Sequence, residues 1–449
     1  MAHRSSDTLL AWTKVLAPAF TKPGFANALL VFCGWVLTRG THAITQALVE
    51  LGIQGRVHHE RLHRFFSRGA WSVDDLGRLL FAKIVEHFAD GDELILVVDD
   101  TLVSHKGPKI FGLGTHVDPV RSSRAWKVFS LGHVWVVVAV CVRLPFSRRT
   151  WALPILFRLY RPKPACKRGQ PPFKTKTQLA NEMLVIASHW ASGRRMRVTA
   201  DAAYANSTVL GDLPSNVVFI GAMRPDAALT ALPLPKDQQP TGRRRKRGER
   251  LPTPAALAKS PSQRWATLDV HIYGKDTTLE IKVVDAQWYR VANDRHLRVV
   301  LVRVLRGDLP VRVFFCTDPQ LDVADIIKAY ASRWGIEVCF RELKQHLGFG
   351  DSPARKREAV ERTAPFAGYL YTLLVLWFCS LPTRQRRRAI IHRPWYRTKK
   401  SYSFEDILRA AQLALRVLDV SDLLHGYADL QAPSPTASRR AATRLSAIS

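Results

Sequence analysis

Between residues 93 and 220, short β-branched apolar runs alternate with helix-length segments, and this alternation limits the fold more than any other feature. Glu93 to Val98 (ELILVV) is long enough for a buried strand and too short for a helix, and it stops at Asp99-Asp100-Thr101. Val134 to Val142 and Trp151 to Tyr160 read as two further strands. Thr177 to Trp190 has a helical period. Arg197 to Ala200 is a strand that stops at Asp201-Ala202-Ala203-Tyr204, and Val217 to Ile220 is a strand again after another helix-length segment. Three strands, a helix, a strand, a helix and a strand make a mixed α/β sheet. Both acidic stops are expected at C-terminal strand tips, where α/β folds place functional groups.

The flanking segments differ in texture. Residues 1–90 read as helices: Phe25 to Leu37 is apolar, and His42 to Leu51 and His58 to Phe66 are short helices separated by the Gly52–Gly55 turn. The second of these is basic. The pair suits a helix-turn-helix DNA reader and an ordinary helical hairpin equally well. Beyond Met223 the chain is rich in Pro and Ala and carries a bare Arg/Lys run, residues 243–247. Trp265 to Leu305 then alternates as antiparallel strands do, and Val311 to Cys316 returns to the sheet. Arg355 to Ser380 is a long apolar helical region. Within it, Ala364 to Leu381 approaches membrane-spanning length but contains Pro, Gly and two Tyr, so a buried helix is expected. Arg384 to Lys400 is very basic with Trp395 and Tyr396 interleaved, and the Pro/Ser/Ala/Arg-rich tail is expected to be disordered.

Tyr330 to Lys344 (YASRWGIEVCFRELK) concentrates opposite charges. On one continuous helix Tyr330, Arg333, Glu337 and Lys344 share a face, Glu342 points elsewhere, and Ile336, Phe340 and Leu343 form an apolar stripe. A carboxylate one turn from Arg and two turns from Lys can hold a metal ion while its neighbours hold phosphate oxygens. A solvated face with incidental i,i+4 ion pairs has the same spacing.

The net charge of +30 over 449 residues, spread along the chain, calls for a polyanionic partner, DNA or RNA before others. With 47% apolar residues the chain can bury real cores. Its six cysteines are scattered with no CxxC pair, which suits a reducing cytoplasm and argues against zinc or disulfides. No signal peptide and no membrane association are expected.

By position, Asp100, Asp201 and Glu337 are the acids to bring together, two at strand ends and one on a helix after the last strand. Three converging carboxylates repel one another unless a divalent ion sits among them, and oxygen-only ligands suit Mg²⁺, with Mn²⁺ able to substitute. Such ions can activate a water or a 3′-hydroxyl for in-line attack on phosphorus.

Asp-Asp-Thr at 99–101, Asp-Ala-Ala-Tyr at 201–204 and Tyr330-x2-Arg333-x3-Glu337-x6-Lys344 together resemble the DDE transposases of bacterial insertion sequences, specifically the branch with the Tyr-Arg-Glu-Lys signature. The resemblance implies an RNase H-like mixed sheet with a helical N-terminal domain and a β-rich insertion. It makes Asp100, Asp201 and Glu337 the catalytic metal ligands. Asp99 competes with Asp100, which is preferred because the family's first acid commonly precedes Thr or Ser. Tyr330, Arg333, Lys344, Arg341 and Lys106 are implied DNA contacts. In relatives a Trp of the insertion stacks on a flipped base; Trp265 and Trp288 are the candidates, though a core role suits each better. His105 and His133 are expected to be structural.

The organisation expected is a helical, DNA-binding 1–90, a core in two parts (91–222 and 311–380), a β-rich insertion 223–310, a basic helical region 381–432 and a tail 433–449. The implied activity is metal-dependent cut-and-paste transposition by a homodimer on double-stranded DNA, at element ends and target, in the bacterial cytoplasm at the nucleoid. Hydrolysis frees a 3′-hydroxyl, which then attacks the opposite strand and finally the target. The rival readings are an RNase H-like nuclease without strand transfer and a catalytically inactive, DNA-binding derivative.

Overall fold

The computed structural model describes every residue except Met1, Asp90, Asp92, Lys106, Pro108, Arg124, Arg168 and residues 236–244, 305–309, 391–393, 396–400 and 418–449. The chain forms two compact units, one of residues 81–344, the other of residues 1–80 with 345–449. In order, the elements are α1 (Ala2–Thr13), α2 (Lys22–Leu37), α3 (Gln46–Glu50), α4 (Glu60–Arg68), α5 (Val73–Phe88), β1 (Glu93–Ser104), β2 (Gly114–Val117), β3 (Phe129–Arg143), β4 (Thr150–Tyr160), α6 (Lys176–Trp190), β5 (Arg195–Ala200), α7 (Ser207–Leu210) and β6 (Val217–Ala222). They continue as α8 (Pro254–Lys259), β7 (Ala266–Ile272), β8 (Lys275–Ala286), α9 (Tyr289–Ala292), β9 (Leu297–Val304), β10 (Arg312–Cys316), α10 (Val323–Ser332), α11 (Trp334–His346), α12 (Arg357–Ser380), α13 (Thr383–Ala389) and α14 (Phe404–Leu415).

The first of these units is built on one ten-stranded sheet among the described residues, in the order β2-β3-β1-β5-β6-β10-β9-β8-β7, with β4 paired to β3. β3 is antiparallel to both β1 and β4, whereas β5 runs parallel to β1 and β6 parallel to β5. That is an RNase H-like mixed sheet. β3 reads Val134 to Val142 without polar interruption because it is central, and these residues are buried throughout. The β-rich segment does not stand apart. β7, β8 and β9 continue the same sheet through β10, which is antiparallel to both β6 and β9. Apolar alternation on these strands covers α10: Val270, Leu279, Val300 and Val302 pack with Ile326, Ile327 and Ala329.

The strand carrying Asp99 and Asp100 departs from the sequence reading in length. It does not stop at the acids but runs on to Ser104, so the pair lies mid-strand and not at a tip. Thr101, Leu102 and Val103 keep pairing with β3, register Thr101↔Trp135 to Val103↔His133, while pairing with β5 ends at Val98↔Ala200. The antiparallel partner therefore holds β1 extended past the point where the parallel partner ends.

His133 of β3 is 2% exposed, and its Nε2 donates to the Phe111 carbonyl at 2.8 Å. Burial, with His105 beside it, pushes its pKa down to about 4. A depressed folded-state pKa means stability is fully present above the unfolded value near 6.5 and is lost as pH falls toward 4. The loss amounts to about 3 kcal/mol. His133→Gln is expected to flatten urea-unfolding stability over that window; an unchanged pH slope would contradict the assignment.

The second unit is helical. α2 is apolar nearly all round and buries Leu30, Val31, Phe32, Trp35 and Val36. Trp35 stacks on Phe66 at 5.9 Å, Phe65 stacks on Trp71 at 5.0 Å, and Phe366 of α12 meets Phe66 edge-on at 5.6 Å. α4 puts Leu62, Phe65 and Phe66 into this cluster and leaves Arg61, Arg64 and Arg68 exposed. α12 is, among the described residues, the one helix long and apolar enough to cross a membrane, but 89% of its most apolar window is buried inside the protein. It is a core helix.

Candidate active site

The parallel register of β1 and β5 builds the site. The last paired residues are Val98 and Ala200, and the next in each strand are Asp99 and Asp201. Neighbouring strands lie about 4.8 Å apart, and paired residues point to the same face. Asp201 leaves the strand at once: its Oδ1 accepts the Ala203 N–H at 2.9 Å, which turns the chain toward Tyr204.

Strand pleating sends Asp99 and Asp100 to opposite faces, and their partners differ accordingly. Asp99 Oδ2 accepts from Arg333 Nη1 at 2.8 Å, and the same guanidinium donates through Nη2 to Glu337 Oε1 at 2.7 Å. One arginine fork thus joins Asp99 to the helix acid. Asp100 Oδ2 accepts from Lys176 Nζ at 2.6 Å, and its Oδ1 accepts from the Tyr204 hydroxyl at 2.8 Å. Asp99, 15% exposed, has its pKa pushed up to about 7 by burial; Arg333 opposes this, and the charges of Asp201 and Asp100 add to it. Burial and Asp100 also hold the Tyr204 hydroxyl far above its ordinary range, so it is a proton donor to Asp100.

The Tyr330–Lys344 stretch is not one uninterrupted helix. α10 ends at Ser332, Arg333 caps it, and α11 starts at Trp334. A Cβ on Gly335 would lie 3.0 Å from the Thr150 carbonyl, so a side chain there would crowd β4. Tyr330 packs its ring on Phe314 at 4.4 Å and lies within electrostatic reach of Asp201 and Arg333. Lys344 Nζ donates to the Leu102 carbonyl at 2.8 Å, tying the end of α11 to β1. Arg341 is exposed with no ion-pair partner among the described residues. Glu342 is buried against Arg149 at 2.7 Å, and that guanidinium lies over Trp151. Lys106 lies outside the described residues.

The geometry adds residues that the sequence did not single out. Lys176 is the first residue of α6 behind a Thr175–Gln178 capping box; nothing in its neighbourhood marks it as an aspartate partner. Tyr273 sits at the β7–β8 hairpin turn with φ +52°, followed by Gly274 at +75°. It is 66% exposed, within electrostatic reach of Arg333, Glu337 and Arg312. With Tyr330, Phe314 and Arg312 it lines a cavity of about 190 Å³. The two tryptophans of the insertion are held elsewhere: Trp265 lies between Lys282 and Arg303, and Trp288 packs on Phe315.

Among the described residues no three Asp, Glu, His or Cys side chains converge tightly enough to hold a metal ion. Arg333 and Lys176 supply the countercharge to the acids. The donor set is nevertheless all carboxylate oxygen, the chemistry a hard divalent ion takes.

Fold and site define an RNase H-like protein with acids placed where the parallel pairing of its strands β1 and β5 ends. The chain belongs to the DDE superfamily endonuclease family, whose model matches residues 16–292, well over half of it. That segment contains Asp99, Asp100 and Asp201 and ends before Tyr330. No curated protein matches. A similar solved structure is the cryo-EM piggyBac transposase synaptic complex with hairpin DNA, at 12% identity and a TM-score of 0.42, covering 92% of this chain and 74% of that one.

Proposed function

We propose that this protein is a DNA transposase that cuts and rejoins phosphodiester bonds with a divalent metal ion held by Asp99, Asp201 and Glu337. The observation that carries the reading is the Arg333 fork, which gathers Asp99 and Glu337 on the face where the strand register brings Asp201 alongside. These three acids would hold Mg²⁺ or Mn²⁺. When bound, the ion supplies Lewis-acid stabilisation of the phosphoryl oxygens and lowers the pKa of the attacking water or 3′-hydroxyl.

The rest is done by the chain. Asp100, kept in place by Lys176 and Tyr204, fixes the strand beneath Asp99. Arg333 shares out its donors between carboxylates and becomes available to a phosphate oxygen once those acids are otherwise neutralised. Tyr330, Arg341 and Lys106 contact the DNA strand, and Lys344 holds α11 against β1. Strand transfer, rather than hydrolysis alone, is the finer reading, supported by the intact Tyr330, Arg333, Glu337 and Lys344 spacing.

The test is cleavage of a plasmid carrying the gene's native flanks, in Mg²⁺ and in EDTA, by wild type and by Glu337→Gln. Metal-dependent cuts and joined products from wild type only are expected. Cutting that survives the substitution would move the site elsewhere, and cutting without joining would favour a simple nuclease.

Tyr273 offers a separate expectation. A two-residue hairpin turn with both φ positive favours Asn-Gly, and a bulky residue at the first position costs on the order of 1 kcal/mol. An exposed ring kept there at that cost, beside Arg312 and Arg333, suits stacking on a DNA base. Tyr273→Asn is expected to raise or preserve the melting temperature and to slow cleavage roughly tenfold, with Tyr273→Phe near wild type. Equal cleavage rates for all three would refute this role.

A further inference from the structure

The helical unit has a cleft of about 390 Å³ between the end of α2, the end of α11 and one face of α14. Its walls carry Arg39, Arg409 and Arg416 against a single acid, Glu405. None of the three arginines has an ion-pair partner among the described residues, whereas Arg64 pairs with Glu60 and Arg357 with Glu361. On α14, Arg409 and Arg416 are two turns apart and share a face with Gln412, whose amide donates to the Val36 carbonyl and joins the two walls. Arg39 and Arg416 sit at helix C-termini, where the dipole favours a cation. That accounts for each singly but not for their convergence with mid-helix Arg409.

His42 also lines the cleft. It is 4% exposed, with the Gly40 and Trp35 backbone beside its ring, and burial holds its pKa below the ordinary imidazole value. The nearest carboxylate, Asp351, is 3.9 Å from Nδ1, and its oxygen already accepts the His42 backbone N–H at 3.1 Å.

We propose that this cleft binds the phosphodiester backbone of double-stranded DNA, as a sequence-independent contact made by the helical unit itself. Three guanidiniums facing one acid suit successive phosphates on a duplex, and all three are exposed on or just beyond the helices α2 and α14. The proposal rests on the DNA-processing reading for its ligand but makes its own demand on binding.

The experiment is fluorescence anisotropy of the full-length protein with a labelled random-sequence duplex across a salt series, in EDTA so that nothing is cut. Arg39→Gln, Arg409→Gln, Arg416→Gln and the triple variant are compared with Arg357→Gln as a surface control, all checked for unchanged melting temperature. Each cleft substitution is expected to weaken binding roughly fivefold near physiological salt and to lower the log–log salt slope by about one. Arg357→Gln is expected to change neither. Wild-type affinity and slope in the triple variant would overturn the proposal. So would stabilisation by inorganic phosphate that the triple variant loses while its DNA binding is intact, since the cleft would then take a free anion. If the arginine variants lose DNA but wild type never cuts in Mg²⁺, the cleft stands and the transposase reading falls.

Discussion

Asp99→Asn is expected to lower metal-dependent DNA cleavage by roughly a thousandfold or more, the several kcal/mol that metal-assisted phosphoryl transfer depends on. Asp100→Asn, by contrast, is expected to leave measurable cleavage and to lose stability instead. The two residues are neighbours of identical chemistry, so the contrast isolates geometry. Asp99 faces Arg333 and Glu337, and Asp100 faces Lys176 and Tyr204 on the other side of β1. Lys176→Met should reproduce the Asp100→Asn phenotype, because it removes the same contact from the other end. Single-turnover cleavage rates with matched melting curves check the pair. Near-equal cleavage by Asp99→Asn and wild type would end the assignment.

Arg333→Gln carries the second large effect. It leaves Asp99, at 15% exposure, without its charged partner and separates it from Glu337. Removing one member of a buried ion pair typically costs about 3–5 kcal/mol. The cost should depend on pH in a definite direction. Asp99 already holds its proton to about pH 7, well above the ordinary carboxyl value, because burial outweighs Arg333. A raised folded-state pKa means the protonated form is tolerated, so below that pH the lost partner matters little. Above it wild-type Asp99 ionises against Arg333 while the variant's must hold its proton or stand bare, so the deficit grows by up to about 1.4 kcal/mol per pH unit. Urea unfolding of Arg333→Gln should therefore show a deficit against wild type that is constant up to about pH 6 and larger by about 1 kcal/mol near pH 8. A deficit independent of pH would mean that Arg333 acts through packing alone.

The strands were legible because their apolar runs are short, β-branched and bounded by polar residues, as at Glu93–Val98 and Val134–Val142. The position of Asp99 and Asp100 within β1 was not. A strand reading stops at a charged pair, and only the long-range partner β3, some thirty residues on, keeps Thr101 to Ser104 extended. The facing of the two acids was hidden for the same reason, since it depends on which strand pairs where. The spacing of Tyr330, Arg333, Glu337 and Lys344 was visible. Their division of labour was not: Arg333 faces two acids at once, and Lys344 spends its ammonium on the Leu102 carbonyl. Lys176 and Tyr273 come from remote segments whose local sequence shows only a helix start and a turn. Tyr273-Gly274 even departs from the residues that such a turn prefers.

The central claim is that Asp99, Asp201 and Glu337 together form a divalent metal site. The most direct measurement is Mn²⁺ binding to the full-length protein, followed by the loss of the free-ion electron paramagnetic resonance signal, without DNA or turnover. Wild type and Asp100→Asn are predicted to take up Mn²⁺, and Asp99→Asn, Asp201→Asn and Glu337→Gln each to lose most of that uptake. Full uptake by Asp99→Asn together with loss in Asp100→Asn would contradict the account and put the first ligand on the other face of β1.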